Sequence, residues 1–188
     1  MDTEDVWRLV EQARAELPGT TDPDAVAERM RGLLAQRSPA EIIAFAPSLR
    51  SLFATSYRAD LWAAAYLING GASDDGFEYF RGWLIAQGRR VFEQALADPD
   101  SLAELPAVRE VAGQGEDLDG EGIMQVAWDA HWAVTGEGLP PDVPTVGYPD
   151  LDPAWNFDFD DGAEMRRRLP RLTALCLGPE VSSAAGCP

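Results

Sequence analysis

Tyr57-Arg58-Ala59-Asp60-Leu61-Trp62-Ala63-Ala64-Ala65-Tyr66-Leu67-Ile68-Asn69-Gly70-Gly71-Ala72-Ser73-Asp74-Asp75-Gly76-Phe77-Glu78-Tyr79-Phe80-Arg81-Gly82-Trp83-Leu84-Ile85-Ala86-Gln87-Gly88-Arg89-Arg90-Val91 is the stretch that decides the fold. Asn69-Gly70-Gly71 supplies residues that tolerate positive φ at a helix C-terminus. Ser73 followed by Asp74 and Asp75 supplies an N-cap and acids suited to the next helix dipole. One helix therefore ends and another begins within four residues. Leu61, Ala65 and Ile68 form one face of the first helix, and Trp62, Tyr66 and Asn69 a second at the same spacing. In the second helix Phe77, Phe80, Leu84 and Val91 oppose Tyr79, Trp83, Ala86 and Arg90. Two apolar faces on each helix predict a central pair covered on several sides.

Gly76 and Gly82 lie inside the second helix, where each costs roughly 1 kcal/mol relative to alanine unless something offsets it. Their presence predicts close approach by a neighbouring backbone or a ligand. The few polar residues of the pair, Asp60, Asn69, Asp74, Asp75, Glu78 and Arg81, gather near the bend. Arg81 falls three residues after Glu78, within reach of an ion pair. The group either compensates the helix dipole or lines a pocket at the bend. In the pocket reading Trp62, Tyr66 and His131 join Asp60, Asn69, Asp74, Asp75, Glu78 and Arg81 as candidate ligand-binding residues.

Outward from the hairpin, Asp2 caps a first helix with Val6, Leu9, Val10, Ala13 and Leu17 on one face. Asp22-Pro23 opens a second helix to about Gln36. Ser38-Pro39-Ala40-Glu41 has capping-box form and starts a third, which Pro47 is expected to break or kink. After Val91 the helix is expected to run through Gly88 to Ala97, where Asp98-Pro99 stops it; a short helix from about Ser101 follows. Gly113 to Gly120 is an acidic, glycine-rich loop, but Gly115 and Val126 stand where a calcium loop needs its first aspartate and final glutamate. Ile123, Ala127, Ala130 and Val134 face inward on the next helix, with Met124, Trp128 and His131 on a second face, and Gly136 closes it. From 137 to 164 eight acids, no base and five prolines preclude a regular helix, while Tyr148, Trp155, Phe157 and Phe159 predict a segment pinned over the core. The alternation of Trp155, Phe157 and Phe159 allows a short edge strand. Residues 163 to 177 form a last basic helix with Pro170 in its path, and residues 178–188 are expected to be a disordered tail. The expectation is all-α: a single-domain helical bundle over residues 1–177 around the central helical hairpin, with the irregular acidic segment packed on it.

Composition narrows function by exclusion. The 188 residues carry 32 acids against 15 bases, a net charge of −17, and every base is arginine. Without lysine there is no Gly-Lys-Ser/Thr phosphate loop, no Schiff base and no lysine general base. The acidic excess repels nucleic-acid phosphates, and the one basic cluster, Arg166-Arg167-Arg168-Arg171, reads as a helix face balancing Asp158, Asp160, Asp161 and Glu164. One histidine precludes a His-rich metal site. Cys176 and Cys187 offer neither a CxxC motif nor a disulfide framework. No Gly-x-Ser-x-Gly elbow occurs, since Asp75 takes the last place after Gly71-Ala72-Ser73-Asp74. His131, between two tryptophans at a helix end, reads as a packed or capping group, or as the general base if the chain is an enzyme. Neither a signal peptide nor a membrane-length apolar run is visible. The expectation is a cytoplasmic protein without metal or cofactor, whose partner is a small molecule or a protein, with no nucleic acid and no membrane.

The run from Asp60 to Gly71, followed by Ser73-Asp74-Asp75-Gly76-Phe77 and Tyr79-Phe80-Arg81-Gly82-Trp83-Leu84-Ile85, resembles a bacterial family catalogued as domain of unknown function 4240. The likeness extends from about Val6 to Leu172, including Arg168-Leu169-Pro170-Arg171-Leu172. It implies a domain boundary and no activity. Three functions remain open: a non-catalytic binding module acting as regulator or accessory, a small enzyme with a carboxylate and arginine cleft at residues 69–81 that could hold magnesium, and a purely structural protein.

Overall fold

The computed structural model describes residues 1–178, within which there are ten α-helices, two short 3-10 turns and no strand. The chain is all-α, with α1 (Thr3–Ala15), α2 (Pro23–Leu34), α3 (Pro39–Thr55), α4 (Ala59–Asn69) and α5 (Asp74–Ala86) in its first half. Then come α6 (Arg89–Ala97), a 3-10 turn (Pro99–Glu104), α7 (Pro106–Val111), α8 (Glu121–Thr135), a second 3-10 turn (Pro153–Trp155), α9 (Gly162–Arg168) and α10 (Pro170–Cys176). Among the described residues no helix is long and apolar enough to cross a membrane. Apart from Gly178, the expected tail and Cys187 lie outside the described residues.

Local chemistry sets the helix ends. Asp2 with Asp5, and Ser38 with Glu41, form complete capping boxes, and Asp22 caps α2 ahead of Pro23. At the hairpin Gly70 takes the left-handed conformation (φ 67°), and the Ser73 hydroxyl accepts from Gly76 N–H at 3.1 Å to open α5. The α4–α5 hairpin is therefore present as read, and α5 lies mid-bundle against α2, α3, α4, α6 and α8. Its Phe77, Phe80, Trp83, Leu84 and Ile85 are fully enclosed.

Several boundaries differ from expectation, each for a stated cause. Pro47 does not break α3, because Ile42, Phe45, Leu49, Leu52 and Phe53 on both sides of it enter the same core and offset one lost backbone hydrogen bond. Gly88 does end α5: its φ of 91° turns the chain, and Glu11 of α1 accepts from Arg89 N–H at 3.0 Å to start α6. The last basic helix is two helices. Leu169 leaves helical geometry before Pro170, and the buried Asp100 carboxylate, 5% exposed, caps α10 through the N–H groups of Arg171 (3.0 Å) and Leu172 (2.8 Å). Val134 is exposed at 42%, since it lies beyond the part of α8 that the core covers.

Gly82 fulfils the expectation of close approach and Gly76 does not. A Cβ on Gly82 would stand 2.2 Å from the carbonyl oxygen of Gly120, whereas one on Gly76 would meet only the Ser73 hydroxyl at 3.4 Å.

Residues 137–161 run as an irregular strap over the helices. Trp155, Phe157 and Phe159 are half-buried and alternate with exposed neighbours, but they pair with no strand. The Arg168 guanidinium sits 4.7 Å from the Trp155 ring and 4.8 Å from Phe157, and Phe159 meets Tyr66 edge-on at 5.7 Å. The basic cluster meets one of its expected acids, Glu164, while Asp160 is engaged by Tyr66, Asp161 caps α9, and Arg171 turns to acids earlier in the chain. Arg167 and Arg168 bind Glu164, holding its carboxyl down to about 2, and Arg171 spans Asp98, Asp100 and Glu104.

Candidate functional site

Arg81 is the second-largest fully buried side chain, 1% exposed, and it does not pair with Glu78 as its spacing allows. Instead its Nη1 donates to the carbonyl of Phe53 at 2.6 Å and its Nε to that of Phe77 at 3.3 Å. Phe53 lies in the last turn of α3, which has no basic residue of its own. A guanidinium from α5 thus supplies the positive charge that the α3 C-terminus favours, which is why a buried cation is stable there on carbonyl partners. Four rings enclose it at 4.8–5.6 Å: Phe53, Tyr57, Phe77 and Tyr148.

Three of those rings belong to the helices or the α3–α4 link; Tyr148 comes from the strap. It stacks on Tyr57 (4.5 Å, 12°) and donates its hydroxyl to Glu78 at 2.7 Å, yet remains 46% exposed. Burial first, and then the Glu78 hydrogen bond, push its ionisation above the ordinary tyrosine range, while Arg81 opposes them. A raised folded value means that the contact contributes fully below the unfolded tyrosine pKa of about 10 and is lost as pH rises through the folded one. In the difference between tyrosinate absorbance titrations of the wild type and Tyr148→Phe, Tyr148 should titrate above free tyrosine. Glu78→Gln should bring that midpoint down; an unmoved midpoint would show that the carboxylate does not act on the ring.

Tyr148 and Glu78 close one end of a groove of about 600 Å³ between α3, α8 and the strap. Leu49, Met124, Trp128, Leu139, Val143 and Val146 give it apolar walls, and Arg50 and Gln125 add polar points. Arg50 donates to the Pro144 carbonyl at 3.1 Å, tying strap to α3. Trp128, which lines the groove, stacks on Trp132 (5.3 Å, 12°), and the two indoles are 43% and 51% exposed.

The residues singled out by sequence divide into separate settings. Arg81 and Glu78 each touch Tyr148 without pairing with one another, and of the two Glu78 lines the groove. Trp62 stacks on Phe77 (4.8 Å) and donates to the Ala72 carbonyl at 2.9 Å, bracing the bend. Asn69 pairs with the backbone of Leu118 in both directions. Asp60 pairs with Arg58, which also donates to the Leu96 carbonyl at 2.8 Å. Tyr66 donates to Asp160 at 2.6 Å under the strap. Asp74 and Asp75 stand exposed at the start of α5. His131 is buried and its Nδ1 donates to the Glu137 carbonyl at 2.9 Å, a tautomer set by that acceptor, which fixes the turn from α8 into the strap. Among the described residues no group of three or more histidine, cysteine or acidic side chains is arranged to hold a metal ion. Burial raises the Cys176 thiol to about 11.

Sequence reasoning missed Arg50, Tyr148, Trp128 and Trp132 as parts of one surface. Helical periodicity put Trp128 on a second face of α8 with Met124 and His131; of these His131 is buried, whereas Met124 and Trp128 line the groove and Trp128 is exposed. The available signal was a second tryptophan four residues on, which lengthens an apolar face past what a core needs.

Fold and site together define an all-helical domain with a strapped apolar groove. The model of a family described as protein of unknown function (DUF4240) matches residues 1–132, so the chain belongs to that family. The match ends at Trp132, short of the Arg168–Leu172 run, so α3 and α5 fall within it, α8 runs just past its end to Thr135, and the strap lies beyond. No curated protein and no solved structure matches the chain.

Proposed function

We propose that the chain is a non-catalytic intracellular binding module, acting as a regulator or accessory, whose site is the groove between α3, α8 and the strap. The observation that carries this reading is the groove itself: about 600 Å³ of mostly apolar lining with a few polar groups, within the range of about 300–1,000 Å³ usual for ligand sites. The acids at the bend favour it over the carboxylate cleft, because Asp60 is engaged by Arg58 and Glu78 by Tyr148, while Asp74 and Asp75 face solvent. A cytoplasmic setting belongs to the same proposal.

Backbone and indole NMR spectra recorded with a set of neutral aromatic fragments provide the test, with magnesium as a second arm. Fragments are expected to shift Met124, Val143, Val146 and the Trp128 indole, and Trp128→Ala is expected to weaken them by about tenfold. Magnesium shifts centred on Asp74, Asp75 and Glu78, with no fragment response at the groove, would replace this reading with the carboxylate one.

A further inference from the structure

We infer that the groove's occupant is a basic amphipathic segment of a partner protein, an inference that rests on the binding function proposed above. From Met124 to Tyr148, the part of the chain that lines two of the groove's walls, there are three acids, Asp129, Glu137 and Asp142, and no arginine. That stretch supplies the α8 and strap sides of the groove, and with them the exposed aromatics Trp128 and Tyr148 of its lining. Arg50, on the third wall, is turned onto the Pro144 carbonyl. Glu78 lines the closed end, exposed Asp142 stands between the lining residues Pro141 and Val143, and exposed Glu137 follows α8 directly.

The indole pair points to the same chemistry. Trp128 and Trp132 lie parallel one helical turn apart and about half exposed, although burying such large apolar side chains is favourable. Exposed indoles at the mouth of an apolar groove are the kind of aromatic that dominates protein interfaces. Their electron-rich faces attract guanidinium or ammonium groups. A segment with leucine-like residues on one face and arginine or lysine on the other would place the first in the groove and the second against the indoles and the acidic rim. Nucleic acids and anionic membranes are themselves negative and are repelled by a chain of net charge −17.

The probe is a short synthetic amphipathic peptide of leucine and lysine, compared with a scrambled peptide of the same composition and with its leucine and glutamate counterpart. Tryptophan emission gives affinity, and NMR of the full chain gives location. The leucine–lysine peptide is expected to bind at the groove at least about tenfold more tightly than the scrambled one, and more weakly as salt rises. Trp128→Ala and Trp132→Ala, exposed positions whose folding circular dichroism verifies, should each weaken it by about tenfold. The double variant Glu137→Gln, Asp142→Asn should weaken it a few-fold and flatten the salt dependence. Equal binding of the scrambled peptide, or no effect of the tryptophan variants, would mean adsorption of a polycation and overturn the inference. Binding of the glutamate peptide at the groove overturns the charge argument but leaves the binding function standing. If no peptide binds while neutral fragments still shift the groove residues, the partner class alone fails; if neither acts on the groove, both readings fail.

Discussion

Arg81→Ala is expected to lower the free energy of unfolding by about 3–5 kcal/mol, because it opens a cavity inside four aromatic rings and strips the Phe53 and Phe77 carbonyls of a shared donor. Arg81→Lys should also be damaging, by roughly 2 kcal/mol, since a single ammonium cannot span two carbonyls that a planar guanidinium reaches from separate nitrogens. Arg81→Met should fall between wild type and alanine. It restores volume and removes the cost of burying a charge, but it leaves the α3 C-terminus without a cation. Urea unfolding of the three variants measures the order directly. A loss below about 1 kcal/mol for alanine would mean that water replaces the guanidinium without cost, and the account of Arg81 as the end-charge of α3 would be wrong.

Gly82→Ala and Gly76→Ala should move stability in opposite directions, though both replace a glycine within one helix. At Gly82 the added methyl would stand 2.2 Å from a backbone oxygen of Gly120, and the reciprocal contact from Gly120 to Trp83 N is also 2.2 Å. Gly120 N–H donates to the Tyr79 carbonyl at 3.0 Å, so α5 and the start of α8 are bonded backbone to backbone and cannot part cheaply. The expected loss is about 3 kcal/mol. At Gly76 the backbone is helical and the nearest atom is at ordinary contact distance, so alanine should stabilise by about 0.5–1 kcal/mol through the unfolded chain. Thermal unfolding of the two variants separates the cases. Equal and small effects would show that the glycine contact between α5 and α8 is not tight.

What could be read in the sequence was what local chemistry dictates. Asn69-Gly70-Gly71 and Ser73 fixed the bend, and the capping boxes at Asp2 and Ser38 fixed two helix starts, because each is settled within a few residues. Pro47 and Gly88 misled for opposite reasons. The core on both sides of Pro47 outweighed one missing donor, whereas Gly88 gained a cap from Glu11, distant in sequence, which nothing near it announces. Of the candidate site, Glu78 and Arg81 were legible as unusual polar residues in apolar surroundings. Their partners were not, because Tyr148 reaches them across seventy residues and the Phe53 carbonyl has no side-chain signature. The alternation at Trp155, Phe157 and Phe159 did report burial, but burial here comes from Arg168 and Tyr66 in place of a neighbouring strand.

The Asp100 carboxylate joins the middle of the chain to its far end, since it holds the first turn of α10 by two N–H groups and the side chain of Arg171. Met165, Leu169 and Leu172 beside it are as enclosed as any residue of α5. The stretch that marks family membership, residues 1–132, is therefore shorter than the packed core, which takes in Met165, Leu169 and Leu172. Cutting after Trp132 would leave an anion facing an oily hollow with its clasp gone, because the groups that hold Asp100 all lie past the matched stretch.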